Sequence, residues 1–260
     1  MNFEERKNLL AGKKQSHILD FYDQLNDEEK HILLSQIDAI DWDFQQAFQN
    51  KDHPSSDTEI EEIDALHIQQ IIAQKDTFQA IGLDAIREGK LCLLLLAGGQ
   101  GTRLGFDKPK GCFNIGIHKK LYIIELLIAH TLEVVHAANA WIPLYIMTSN
   151  INYKDTVNFF EEHNYFGYRA EYVHFFVQEL NPATDLDGKI LLKSKYELAL
   201  SPNGNGGWFS SMHKAGLLDT IFESNLEWIN VFSVDNVLQR IADPVFLGAT
   251  IASGKMSGAK

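Results

Sequence analysis

Six glycines and three cations crowd the stretch Leu91–Gly116, Leu-Cys-Leu-Leu-Leu-Leu-Ala-Gly-Gly-Gln-Gly-Thr-Arg-Leu-Gly-Phe-Asp-Lys-Pro-Lys-Gly-Cys-Phe-Asn-Ile-Gly. Gly98, Gly99, Gly101 and Gly105 allow positive φ and let N–H groups approach a ligand with no Cβ in the way. Arg103, Lys108 and Lys110 follow closely, opposed only by Asp107. Cations beside accessible amides select a polyanion, so the spacing predicts a nucleoside triphosphate cradle at the carboxyl end of a strand. The two commoner phosphate loops do not fit. No glycine is followed by Lys-Ser or Lys-Thr, as a P-loop requires. Counting Gly-x-Gly-x-x-Gly from Gly99 puts Leu104 where the third glycine belongs.

Elements on either side must hold this loop. The apolar run Leu91–Leu96 has the character of a strand buried on both faces. The pattern predicts helices over Leu121–Ala138 and Asn152–His163, and strands over Ile142–Thr148 and Ala170–Val177. Asn205-Gly-Gly-Trp opens a helix through Ala215 with Gly216 as its stop, and Leu217–Glu223 is short and helical. A fourth strand is predicted over Trp228–Val234. Such alternation implies a mostly parallel α/β sheet with helices on both faces. Ligands of such sheets bind outside the carboxyl ends of the strands. The glycine loop, Thr148, Gln178 and Asp235 all fall just after strand ends, which points to one shared site.

Residues 1–90 read as an N-terminal helical arm and 91–260 as the catalytic domain. Asn26, with Glu29 three residues on, marks a helix start within a periodic apolar stretch from Gln15 to Gln49. Pro54–Asp57 is a loop, and the Thr77–Lys90 segment is helical with Gly89 as its stop. His17, His31, His53 and His67 lack partners at metal-ligand spacing and read as structural.

The net charge of −12 argues against nucleic-acid and anionic-membrane binding. Residues 1–90 carry −10 of it, so the cationic loop reverses the charge only locally. No apolar stretch is long enough for a transmembrane helix, and the charged N-terminus has no signal-peptide core. The 2 cysteines suit a reducing compartment, so the expected location is cytoplasmic.

Leu-Ala-Gly-Gly-Gln-Gly-Thr-Arg-Leu-Gly followed by Pro-Lys-Gly resembles the signature of the eukaryotic-type UDP-sugar pyrophosphorylases, the group that contains UDP-N-acetylglucosamine pyrophosphorylase. Further blocks resemble the family in order: Ile142–Ser149, Phe159–Gly167, Phe175–Ala183, Asp187–Leu192, Ala199–Trp208, and Val234–Leu238 with Ala242–Gly248. Ser16–Phe48 looks like the family's helical arm. The resemblance implies a Rossmann-like nucleotidyltransferase sheet and a uridylyltransferase that forms a UDP-sugar and pyrophosphate from UTP and a sugar 1-phosphate. The sugar expected is N-acetylglucosamine, with glucose or galactose 1-phosphate as the alternative. A non-catalytic nucleotide-sugar binding protein is the alternative of another class.

Carried over residue by residue, the resemblance implies that Ala97, Gly98, Gly99, Gly101 and Thr102 contact the nucleotide. Arg103 grips the β- and γ-phosphates, and Lys110 lies against the α-phosphate as the main transition-state cation. Gln178 and Gly204 take the uracil-reading positions, Asn205 contacts the sugar part, and Asp235 holds Mg²⁺. Lys108 reads as a solvated charge and His213 as a helix-surface residue. Thr148 and Ser149 either approach the ligand or cap the strand end. Asn236 is a cap or a partner of Asp235. Trp208 departs from the aliphatic residue expected there, so the resemblance does not fix the shape of the sugar pocket. Family members continue well past the position of Lys260, so the chain reads as truncated, ending in mid-pattern with no closing helix; if it ends there, UTP binding is expected to be weak.

Overall fold

The computed structural model describes residues 1–43, 45 and 65–260. His53, the Pro54–Asp57 loop and part of the Gln15–Gln49 stretch lie outside the described residues. The described chain falls into two compact units, Met1–Glu62 with Leu180–Asn203, and Ile63–Glu179 with Gly204–Lys260.

The second unit is built around β1 (Leu91–Leu96), buried along its whole length. Its side chains alternate between two cores. Leu91, Leu93 and Leu95 enter one with Ile124, Leu127 and Phe160, whereas Cys92, Leu94 and Leu96 enter another with Met147, Met212 and Ile221. Period-two alternation with both faces apolar explains the unbroken hydrophobic run. β2 (Leu144–Thr148) and β3 (Val173–Val177) follow, then β6 (Trp228–Ser233), and the sheet runs β3-β2-β1-β6. Every pairing in it is parallel, with Leu93 opposite Leu144 on one side and Leu91 opposite Trp228 on the other. Successive strands step outward from β1 to β3, after which β6 returns to the opposite side of β1. The order therefore reverses between β1 and β6.

Helices Ile123–Ala138 and Tyr153–Glu162 serve the first core, and Trp208–Lys214 with Leu217–Phe222 serves the second. Helices on both faces match the expected architecture. Boundaries shift where local chemistry intervenes. β2 begins at Leu144, because Pro143 has no N–H to pair. Residues Ala170–Tyr172 form a 3-10 turn before β3, and Asn205–Gly207 form another before the Trp208 helix.

The expectation of no closing helix is not met: Pro244–Ala252 is helical, with Asp243 accepting from the Val245 N–H at 3.0 Å and Pro244 in the first turn. Its residues are apolar nearly all round, so no amphipathic period shows. It packs on Lys75–Arg87, where a Cβ on Gly82 would sit 2.0 Å from the Pro244 carbonyl oxygen and one on Gly248 1.8 Å from that of Phe78. The two backbones touch because neither glycine has a side chain.

The first unit contains helices Phe3–Gly12 and Asp27–Asp38. Asn26 and Glu29 form the expected capping box, with both bonds at 2.9 Å. Leu10, Ile18, Leu33 and Ile37 share a core with Ile190 and Leu198. The intervening segment carries a short antiparallel pair, β4 (Leu180–Pro182) and β5 (Leu200–Pro202). Gln15 donates through Nε2 to the Gly188 carbonyl at 2.8 Å and accepts from the Ile190 N–H at 2.9 Å. The division therefore differs from the boundary expected between residues 90 and 91: Lys75–Arg87 belongs with the sheet, and 180–203 with the N-terminal helices.

Candidate functional site

Beyond Leu96 the chain folds back on itself. Gly101 N–H donates to the Lys108 carbonyl at 2.9 Å, and Lys110 N–H donates to that of Gly99 at 3.1 Å. Gly101 is required by this close return, since a Cβ there would lie 2.8 Å from the Phe106 carbonyl oxygen. Gly105 turns the loop with φ +68°. Among the described residues, the N–H groups of Gly98, Gly99 and Gln100 donate to no protein acceptor. They form a run of available donors at the carboxyl end of β1, the kind of backbone concavity that binds anions.

Lys110 reaches Asp235, the second residue past β6, with Nζ 2.5 Å from Oδ1. This pair spans the strands between which the order reverses, the place where open parallel sheets bind ligands. The Lys110 side chain is 28% exposed and that of Asp235 64%, so both charges can be reached from solvent. Asp235 caps no helix. Asn236 makes a local turn instead, with Oδ1 accepting from the Leu238 N–H at 3.2 Å.

Gln178, past the end of β3, is buried. Its Nε2 donates to the Gly204 carbonyl at 2.7 Å, and its Oε1 lies 3.0 Å from where a Cβ on Gly98 would stand. Gly204 itself has φ +80°, a conformation that favours glycine. The structure thus links Ala97, Gly98, Gly99, Lys110, Gln178, Gly204 and Asp235 into one neighbourhood. Thr102, Arg103 and Asn205 are exposed, and the Arg103 side chain makes no hydrogen bond or ion pair among the described residues.

Thr148 is buried and donates its hydroxyl to the Phe176 carbonyl at 2.8 Å, so it ties strands together. Lys108 and His213 are exposed. Trp208 packs against the second core, fastening its helix to the sheet. Of the histidines, His17 bonds the Ile190 carbonyl at 2.7 Å through Nε2. The thiols of Cys92 and Cys112 are both pushed up to about 12 by burial, which keeps them protonated and unreactive at neutral pH. A cavity of about 730 Å³ runs along β6 between Trp228, Phe246 and residues 256–260, and contains none of the predicted site residues.

Asn152 escaped the sequence argument, which placed it only at a helix start. It is completely buried, and its side chain does not cap the helix it precedes. Its Nδ2 instead donates to the Ala97 carbonyl at 3.0 Å and to that of Gly99 at 3.4 Å, while Oδ1 accepts from Ser149 N–H at 2.7 Å.

Fold and site together define an α/β protein whose parallel sheet carries a candidate anion site at the carboxyl ends of its strands, beside the switch point. The chain belongs to the UTP–glucose-1-phosphate uridylyltransferase family, whose profile it matches over residues 41–257. It is 32% identical over 277 residues to the probable UDP-N-acetylglucosamine pyrophosphorylase of Dictyostelium discoideum, a match covering 100% of this chain and 57% of the relative. It is 34% identical over 269 residues to the UDP-N-acetylglucosamine pyrophosphorylase of Saccharomyces cerevisiae, covering 96% and 56%. The solved uridine diphosphate N-acetylglucosamine pyrophosphorylase of Trypanosoma brucei, in complex with inhibitor, superposes with a TM-score of 0.78 at 28% identity, covering 98% of this chain and 56% of that one. A UDP-glucose pyrophosphorylase from Leishmania major shares the fold, with a TM-score of 0.60 at 16% identity. The chain spans about half the length of the curated relatives it matches.

Proposed function

We propose that the chain carries the nucleotide-binding half of a UTP-dependent sugar-1-phosphate uridylyltransferase acting on N-acetylglucosamine 1-phosphate. The observation that carries this reading is the meeting of Lys110 and Asp235 at the switch point beside the available amides of the glycine loop. In the reaction, a phosphate oxygen of the sugar 1-phosphate attacks the α-phosphorus of UTP. The bond from the α-phosphorus to the bridging oxygen breaks, and pyrophosphate leaves with the electron pair.

Two anions must be aligned and the charge on the equatorial oxygens stabilised, which is a task for fixed donors and cations. The glycine-loop amides and Arg103 hold the triphosphate, the guanidinium fork matching phosphate oxygens. Lys110 places its ammonium at the α-phosphate. The Gln178 amide, already oriented by the Gly204 carbonyl, reads the uracil edge, for which an amide supplies donor and acceptor together. Asn205 follows the Gly204 turn and contacts the sugar.

Asp235 fits Mg²⁺. It is a hard oxygen donor with an exposed carboxylate; no group of three His, Cys, Asp or Glu gathers among the described residues, at Asp235 included, so substrate phosphates would supply the other ligands. One carboxylate plus substrate phosphates is a usual way of holding Mg²⁺. When bound, the ion neutralises charge shared between the two phosphate groups. Asp235 would hold the ion, and the Lys110 ammonium would face the α-phosphate. A cytoplasmic location is supported by the two free, buried cysteines, and no helix among the described residues is long and apolar enough to cross a membrane.

Pyrophosphate release from UTP with N-acetylglucosamine, glucose and galactose 1-phosphates tests this. Release greatest with the N-acetyl sugar is expected. Greater release with glucose 1-phosphate moves the substrate, and UDP-sugar binding without release from any donor pair replaces catalysis by binding.

A further inference from the structure

We propose that Asn152 is a positioning residue that sets the glycine loop in its anion-binding conformation, an inference resting on the uridylyltransferase reading of that loop. Every hydrogen-bonding group of its side chain is used. The two Nδ2 protons meet the Ala97 and Gly99 carbonyls, and Oδ1 takes the Ser149 N–H. The amide is sealed from solvent, so losing a partner strands a buried polar group.

The consequence follows from peptide geometry. The peptide bonds of this loop are trans, and in a trans peptide the C=O of one residue and the N–H of the next point in opposite directions. Holding the Ala97 carbonyl toward Asn152 turns the Gly98 N–H away from it. The Gly99 carbonyl, held by Asn152 and by Lys110 N–H, turns the Gln100 N–H away likewise. These are two of the three amides left without protein acceptors among the described residues. Glycine tolerates many loop conformations, and Gly98 and Gly99 alone do not choose this one. Asn152 supplies the choice, and through Ser149 it anchors the loop to the end of β2. Because Lys110 N–H shares the Gly99 carbonyl, the same contact helps place the ammonium.

The test compares the intact chain with Asn152→Ala and Asn152→Asp. The aspartate keeps the acceptor for Ser149 but sets a carboxylate against two carbonyl oxygens. UTP and inorganic triphosphate are titrated by calorimetry, and the backbone amides are followed by NMR. In the wild type, triphosphate is expected to shift the Gly98, Gly99 and Gln100 amides. Both variants are expected to lose roughly tenfold or more in affinity, the factor expected from one to two buried hydrogen bonds, with Asn152→Asp the weaker binder. Folded variants that bind triphosphate as the wild type does, or wild-type amides that stay still as it binds, overturn the proposal. If triphosphate moves those amides but UTP does not bind, the uridylyltransferase reading falls while the role of Asn152 stands. Neither ligand binding the wild type overturns both.

Discussion

Lys110 faces two demands that can be measured apart. Its contact with Asp235 is an ion pair with one partner largely in water, and such pairs contribute about 0–1 kcal/mol to stability. On the proposed reading the same ammonium faces a developing phosphate charge, where it is worth far more. Lys110→Ala is therefore expected to leave the melting temperature nearly unchanged while lowering kcat by roughly 10²–10³. UTP affinity should fall much less, and equal losses in kcat and affinity would assign Lys110 a uniform binding role. At this scale a candidate cradle was legible, because glycines beside cations at fixed spacing point to a polyanion. Gln178 and Asp235 were legible through their positions at strand ends and the resemblance. Asn152 was not: an asparagine before a helix looks like a cap, and only the fold shows its amide turned to the loop that follows β1.

The contact between Lys75–Arg87 and Pro244–Ala252 depends on two absent side chains. Gly248→Ala drives a methyl into the Phe78 carbonyl, with no flexible side chain to yield. Overpacking of this kind costs about 1–3 kcal/mol, and calorimetry should show a lowered melting temperature. Gly12→Ala, with nothing within 4 Å of its Cβ, should leave stability unchanged or raise it, because alanine is the better helix former. Element type was readable where one periodicity dominated, as in β1 and the Ile123–Ala138 helix. The Pro244–Ala252 helix hid because it is apolar on nearly every side, although Asp243 followed by proline marked its start.

The association of 180–203 with the N-terminal helices was beyond a linear reading. The segment has little regular structure, and it is tied to the first unit by single polar groups such as Gln15, whose partners lie far along the chain. Gln15→Leu removes both bonds and strands the buried Ile190 N–H, at a cost of about 1–3 kcal/mol. Hydrogen exchange at Ile190 and its neighbours is expected to accelerate, and unchanged protection would show that the apolar core alone holds the segment.

The return of β6 to the far side of β1 has a kinetic consequence. β1, β2 and β3 pair with near neighbours in sequence, but Leu91 meets Trp228 only after most of the described chain has been made. Such a pairing raises contact order, and the loop-closure entropy must be spent before the contact stabilises anything. The glycine loop can be assembled on three strands, whereas the carboxylate opposite it arrives with the fourth. On this topology a ribosome-bound or refolding chain acquires its glycine loop first and Asp235, the partner of Lys110, last.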